Sequence, residues 1–268
     1  MEWLQAIFLG LVQGITEFLP ISSSGHLILM PYPFGWQDQG LIFDVAVNTG
    51  TLVAVIFYFR HEVKDILGGF ARSLHKGGLT DNPSGYLAWA VGLATIPVGF
   101  AGLLLKDQVA TFGRDPMVVA VASIFFGLML WIADRRTRLD RGLTGLTWRD
   151  AVLIGIGQVF ALIPGTSRSG VTMTAGLFLG FDRETAARFS FLMAIPVGLL
   201  AGGLEFIELL HTKPTLHEWG FMAVGFMVSM FSALLVIRWL MAWVKSRNMT
   251  VFVVYRVLLG IIVFIVIY

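Results

Sequence analysis

Thr16-Glu17-Phe18-Leu19-Pro20-Ile21-Ser22-Ser23-Ser24-Gly25-His26 interrupts an apolar run over 3–34, and Pro164-Gly165-Thr166-Ser167-Arg168-Ser169-Gly170 interrupts a second over 150–180. In each case two short apolar pieces flank a polar break that carries Pro and Gly. That pattern predicts a re-entrant helix pair, which dips into a bilayer and returns. Broken backbone at membrane depth is tolerated only where protein or a water-filled cavity satisfies its polar groups.

The bilayer itself follows from composition. Of 268 residues, 56% are hydrophobic and 13% charged, against about 25% charged in an average globular domain. Lipid is the solvent such a chain suits. Six further stretches are long and apolar enough to span it: 41–59, 86–105, 116–133, 189–210, 219–243 and 251–267. The expected fold is an all-α polytopic membrane protein, a single membrane domain over 1–268, with six transmembrane helices and two re-entrant pairs. The net charge of +2 is small, and the basic residues sit in short loops, which argues against nucleic acid as a partner. With no cysteine, disulfides and thiolate metal sites are excluded. The only early charge is Glu2 and the first Lys or Arg is Arg60. A secretory signal starts with basic residues, so the first segment is expected to stay in the mature protein.

An offset of 145 residues aligns the two broken segments without a gap. Trp3 meets Trp148, Ala6 meets Ala151, Gly10 meets Gly155, Gln13 meets Gln158, Ser22 meets Ser167, Ser24 meets Ser169 and Gly25 meets Gly170, seven identities in positions 3–25. Duplication predicts repeats at approximately 1–145 and 146–268, each a re-entrant pair followed by three spans. Three is odd, so the second half enters from the opposite side. The result is an inverted-topology repeat whose breaks can meet near the midplane. Loop 60–82 (Arg60, Lys64, Arg72, Lys76), loop 134–149 (Arg135, Arg136, Arg138, Arg141, Arg149) and loop 244–250 (Lys245, Arg247) are basic. They are expected in the cytoplasm, with loops 106–115 and 211–218 and both termini outside.

A charged side chain at mid-bilayer costs a few kcal/mol even on lenient insertion scales. Glu17 and Arg168 can offset one another as a plain ion pair, but the residues around them suggest more. Ser167-Arg168-Ser169 follows Pro164-Gly165-Thr166 and precedes Gly170 and Thr172. A Gly-rich break leading into a helix exposes N–H groups at the positive end of its dipole, a ready anion site. Arginine adds a planar fork that fits two phosphate oxygens, and the hydroxyls complete a cradle. The first island offers Ser22, Ser23 and Ser24, the proton carrier His26, and Glu17, with Gln13 one helical turn before it. Serine can be a nucleophile activated by a base; a carboxylate beside phosphates can instead hold a divalent cation. Asp44 and Asn48, one turn apart, either line a cavity or are satisfied polar groups of the core. Glu205, Glu208 and Arg256 lie near span ends, where water is expected to reach them.

Gln13-Gly14-Ile15-Thr16-Glu17-Phe18-Leu19-Pro20-Ile21-Ser22-Ser23-Ser24-Gly25-His26-Leu27 resembles the N-terminal signature of bacterial undecaprenyl-pyrophosphate phosphatases of the bacitracin-resistance type. Ala161-Leu162-Ile163-Pro164-Gly165-Thr166-Ser167-Arg168-Ser169-Gly170 resembles their second signature, and Ala186-Ala187-Arg188-Phe189-Ser190-Phe191-Leu192-Met193-Ala194-Ile195-Pro196 a third block. The resemblance implies removal of the terminal phosphate of undecaprenyl pyrophosphate to give the monophosphate carrier of peptidoglycan synthesis. It implies a divalent cation (Mg²⁺ or Ca²⁺), a place in the bacterial cytoplasmic (inner) membrane among bilayer lipids, and bacitracin as a competitor for the substrate. It leaves room for a homodimer, and for a site open to the periplasmic side. By motif position, Glu17, His26 and Arg168 correspond to essential groups, with Glu17 as base or metal ligand, and Ser23 to the proposed nucleophile. Gln13, Ser22, Ser24, Gly165, Thr166, Ser167, Ser169 and Thr172 are expected around the pyrophosphate; Gln13 stands where the family has Glu or Gln, and a neutral amide there is neither a base nor a strong metal ligand. A phosphatidic-acid-type phosphatase is rejected, since Thr174 and Phe178 occupy the places of its His and Asp. The rival from another class is a polyprenyl-phosphate flippase or transporter, which inverted repeats also suit.

Overall fold

The computed structural model describes residues 2–30, 34–37, 39–76, 82–112, 115–136, 138–212 and 214–267. Among them run eleven α-helices and no named strand. Helices α1 (Trp3–Thr16) and α2 (Ser23–Leu29) flank the first break. They are followed by α3 (Gly40–Tyr58), α4 (Arg60–Lys76), α5 (Pro83–Phe112) and α6 (Pro116–Arg136). Helices α7 (Trp148–Val159) and α8 (Arg168–Phe178) flank the second break, before α9 (Arg183–Thr212), α10 (Leu216–Trp243) and α11 (Thr250–Ile267).

Four helices, α5, α6, α9 and α10, are long and apolar enough to cross a membrane, and α3 with α4 forms a bent pair that passes jointly. Helix α11 is a shorter apolar helix. Outer faces carry large exposed apolar side chains, among them Leu104, Leu200, Leu235 and Ile265. Such a surface suits hydrocarbon and not water.

Part of the expected loop 60–82 is helical instead. Helix α4 turns 80° away from α3 and lies against α5. Its charges made it read as a loop, but Val63, Ile66 and Phe70 recur at helical spacing on its partly buried side. Phe70 meets the Trp89 ring at 5.1 Å, and Trp89 Nε1 donates to Ser73 Oγ at 3.0 Å. Residues 77–81 of that loop lie outside the described residues. Loop 106–115 is likewise shorter than expected, because α5 continues to Phe112.

The two breaks enter their second helices in the same way and leave their first helices differently, the second through a 3-10 turn at Phe160–Leu162. Pro20 has no N–H with which to extend α1 and disfavours helix in the residue before it. The chain then enters α2 through Ser22 at φ 74° and α8 through Ser167 at φ 70°. Such backbone costs about 1–3 kcal/mol per residue unless the surroundings hold it. Each serine hydroxyl accepts from the amide three residues on, Gly25 N–H at 3.3 Å and Gly170 N–H at 3.1 Å.

Helix α1 leans on α10, α7 leans on α5, α3 runs along α9, and α6 along α11. Gly10 and Gly155 mark the two leaning contacts. A Cβ at Gly10 would stand 3.0 Å from the Gly225 carbonyl, and one at Gly155 would fall on the Ala94 carbonyl. Arg188–Glu62, Arg183–Asp134 and Lys245–Glu184 ion pairs gather α4, the end of α6, the start of α9 and the turn after α10. The three basic segments therefore meet at one end of the molecule.

Candidate active site

The two breaks face each other across 145 residues of sequence. Ser23 and Arg168 are the first residues of α2 and α8, equivalent positions at that offset, and both reach Glu17. Ser23 Oγ donates to Glu17 Oε2 at 2.5 Å, and Arg168 Nη2 donates to Glu17 Oε1 at 2.7 Å. Gln13 Nε2 donates to Glu17 Oε2 at 3.0 Å and to Asn48 Oδ1 at 2.6 Å. The carboxylate is thus fixed by a cation on one oxygen and a hydroxyl and an amide on the other. The ion pair is real, and it holds a serine as well.

Glu17, Ser23, Ser24, Asn48, Arg168 and Glu205 line one cavity of about 240 Å³, bounded further by α3 and α9. Drug-sized pockets run to about 300–1,000 Å³. The space therefore matches a phosphate headgroup better than a whole polyprenyl lipid. Glu17 and Arg168 side chains are 18% and 19% exposed, wet enough to be reached and dry enough for their charges to act strongly. Asn48 fulfils the expectation of lining; Asp44 instead accepts from Gln39 Nε2 at 2.9 Å.

Other expected site residues stand behind this wall. Ser167 and Ser169 hydroxyls donate to the Leu19 carbonyl at 3.4 and 2.9 Å and so fasten the second break to the first. Thr172 Oγ1 donates to the Arg168 carbonyl at 2.8 Å and meets Ser190 Oγ at 2.6 Å. Ser22 Oγ caps α2 and lies 3.3 Å from Ser24 Oγ. Gly165, at φ +90°, presses on Val119 backbone so closely that a Cβ would clash, and Thr166 is fully buried.

His26 is absent from the cavity lining. Its Nδ1 lies 2.6 Å from the Ser22 carbonyl, which can only accept, so Nδ1 carries the proton. Nε2 is then left to accept from the Tyr255 hydroxyl at 2.5 Å, with the two rings stacked. Both nitrogens are engaged away from Glu17. Arg256 departs most from its expected place: it is fully buried, not at a wet span end. Its signal was a lone Arg inside the apolar run 251–267, the same signal that singled out Arg168.

The donor set suits a hard cation. Among the described residues no group of three or more His, Asp or Glu stands ready to hold a metal alone. The cavity wall does offer carboxylate oxygens, those of Glu17 and Glu205, beside the Ser23 and Ser24 hydroxyls and the Asn48 amide; Gln13 Oε1, buried without a hydrogen-bond partner, stands behind Glu17. Magnesium and calcium take oxygen ligands, magnesium commonly through one or two carboxylates plus substrate phosphate.

A chain helical through its described residues, with lipid-suited flanks and a half-buried carboxylate–serine–guanidinium cluster between two broken helices, is an integral membrane protein built around an anion-sized site. Comparison with known proteins narrows this. The sequence model of the family described as bacitracin resistance protein BacA matches residues 6–262. The chain is 57% identical over 266 residues to the undecaprenyl-diphosphatase of Magnetococcus marinus, covering 98% of both chains. It is 48% identical over 260 residues to the protein of that name from Thioalkalivibrio sulfidiphilus, covering 97% of each, and 48% identical to that of Aliivibrio salmonicida, covering 97% and 96%. The chain belongs to the BacA bacitracin resistance family.

Proposed function

We propose that this chain is an undecaprenyl-diphosphatase of the bacterial inner membrane, which removes the terminal phosphate of the lipid diphosphate and returns the monophosphate carrier to peptidoglycan synthesis. The observation that carries the reading is Glu17 holding Ser23 Oγ at 2.5 Å and Arg168 at 2.7 Å on the wall of one cavity. Relatives named for this activity at 46–57% identity support the substrate and favour the enzyme over a flippase.

In this reading the diphosphate enters the cavity from the groove between α3 and α9 while its polyprenyl tail stays in lipid. The anion draws Arg168 from Glu17 to its own oxygens, where the guanidinium stabilises charge spreading over the transferring phosphoryl group. Glu17, left with Ser23 Oγ as its near neighbour, takes the Ser23 proton. Ser23 Oγ bonds to the terminal phosphorus as the bridging P–O bond breaks, and the lipid monophosphate leaves with the bonding electrons. Water then hydrolyses the phosphoserine, and Glu17 returns the proton to Ser23. Direct attack by water is the second route, with Ser23 as a phosphate ligand. A divalent cation, held by Glu17 and the diphosphate oxygens, would neutralise substrate charge. Ser24 is the further hydroxyl toward the phosphates, and Gly165, Thr166, Ser167, Ser169 and Thr172 serve by shaping the second break. His26 serves by fixing the Ser22 turn; a proton-shuttle role needs its Nε2 to leave Tyr255.

The fuller architecture is six spans and two re-entrant pairs in inverted repeats, 1–145 and 146–268. Support comes from the matched turns at Ser22 and Ser167 and the exchanged contacts of α1 with α10 and α7 with α5. The end where the basic segments meet is cytoplasmic, and the site opens toward the periplasm. Bacitracin competes by sequestering the substrate, and the chain assembles as a homodimer. The deciding experiment is phosphate release from a polyprenyl diphosphate by purified protein with Mg²⁺ or Ca²⁺, wild type beside Glu17→Ala and Arg168→Ala. Release by the wild type and loss in both variants is expected; a silent wild type under both metals overturns the assignment.

A further inference from the structure

Arg256, on α11, is fully buried in a protein that sits in lipid. A buried guanidinium costs several kcal/mol unless its donors and charge are satisfied. Among the described residues no carboxylate pairs with it. Its donors all go to backbone carbonyls: Nη1 to Pro20 at 3.2 Å, Nη2 to Gly165 at 2.9 Å, Thr166 at 2.8 Å and Ala122 at 3.4 Å, and Nε to Ser123 at 3.1 Å. Pro20 and Gly165 are equivalent positions at the 145-residue offset. Each lies three residues before the residue that reaches Glu17, Ser23 in one island and Arg168 in the other. Broken helices leave carbonyls without intrahelical donors, and buried ones must find partners. One planar fork supplies both breaks at once.

We propose that Arg256 is the positioning residue of the active site: it clamps the matched carbonyls of the two breaks so that Ser23 and Arg168 meet the same carboxylate. It does not touch substrate. Because Glu17 and Ser23 belong to one break and Arg168 to the other, a shift between the breaks of about 1 Å carries the guanidinium off the base and nucleophile it must act beside, and misplacement of that size can cost about 100-fold in rate. A second contact runs through α6. A Cβ at Gly127 would stand 3.3 Å from Arg256 Cβ and 3.6 Å from Nε.

The inference rests on the Glu17–Ser23–Arg168 reading and is tested beside it. Arg256→Lys keeps the charge, but one ammonium cannot bridge the carbonyls of Pro20, Ser123 and Gly165. Its phosphate release from a polyprenyl diphosphate should show kcat lowered at least about ten-fold with KM within about three-fold, per folded molecule counted by gel filtration in detergent. Gly127→Ala leaves the fork intact and favours the α6 helix, yet crowds Arg256. It should lower kcat about two- to five-fold with an unchanged melting temperature, and it carries the test if the lysine variant does not fold. Wild-type kcat per folded molecule in Arg256→Lys overturns the proposal; where that variant does not fold, wild-type kcat in Gly127→Ala does so. A wild type that releases no phosphate defeats the underlying reading instead.

Discussion

At the residue scale, the site turns on one carboxylate with three neighbours. Glu17→Gln cannot take a proton, and while its one amide oxygen can still accept from Gln13 and Ser23, its NH₂ then faces Arg168, which loses its counter-charge. Loss of a positioned base costs about 10²–10⁴-fold, so phosphate release per folded molecule should fall by at least that factor, with a lowered melting temperature from the broken ion pair. Ser23→Ala separates the two routes. If serine is the nucleophile, activity disappears and no ³²P-phosphate can be trapped on the protein by acid quench; full activity in this variant would establish attack by water. The sequence already paired Glu17 with Arg168 by the cost of leaving either alone in lipid. It could not say which hydroxyls face the anion. Seven hydroxyl or glycine positions read as ligands, yet Ser167, Ser169 and Thr172 spend their hydrogen bonds on backbone and on one another. The reason is directional: a break needs as many internal donors as it leaves orphan carbonyls, and spacing alone does not tell a cap from a ligand.

At the element scale, the start of α7 is held by a capping box, Thr147 with Asp150, reinforced by Arg141 Nη2 at 2.6 Å from Asp150 Oδ2. Arg141 also donates to the Leu179 carbonyl at 2.6 Å, so it ties the entrance of the second broken pair to its exit. Burial alone would raise the Asp150 carboxyl, but the bonds from Arg141 and from the Thr147 hydroxyl and amide outweigh it and hold it below the ordinary carboxylate range. A depressed carboxyl stabilises the fold above its unfolded pKa, and that contribution is lost as pH falls through the folded value. Asp150→Asn should therefore lower the melting temperature at neutral pH, by the roughly 1 kcal/mol of a lost cap, and the gap from wild type should close as the pH is taken well into the acid range. Gly165→Ala tests the other side of the break. Its φ of +90° and the closeness of Val119 backbone leave no room for a Cβ, so thermal unfolding in detergent should report a loss of at least about 1–3 kcal/mol. Both broken pairs and the apolar helices were legible from polarity, Pro and Gly. Helix α4 was not, because its charges outvoted a three-residue apolar stripe that only α5 gives a purpose.

At the scale of the whole molecule, topology is the claim most open to test. Ala71 on α4 and Leu216 at the start of α10 are both exposed. In the otherwise cysteine-free chain, Leu216→Cys should react with a membrane-impermeant maleimide in intact spheroplasts. Ala71→Cys should react only after permeabilisation; the reverse pattern would invert the proposed orientation. The other whole-molecule feature is the meeting of residues 13–26 with 164–172. By itself, the sequence determined the two polar breaks, their likeness to one another, the apolar helices around them and the chemical types available for phosphate work. These depend on local hydrophobicity, on proline and glycine, and on spacing within a turn or two. Tertiary structure alone decided that Ser23 and Arg168 converge on Glu17, that His26 turns to Tyr255, and that Arg256 goes inside to hold both breaks. Apart from the six-residue reach of Ser23 to Glu17, those outcomes depend on which face of each short helix meets a neighbour more than 80 residues away, and packing, not local pattern, sets that.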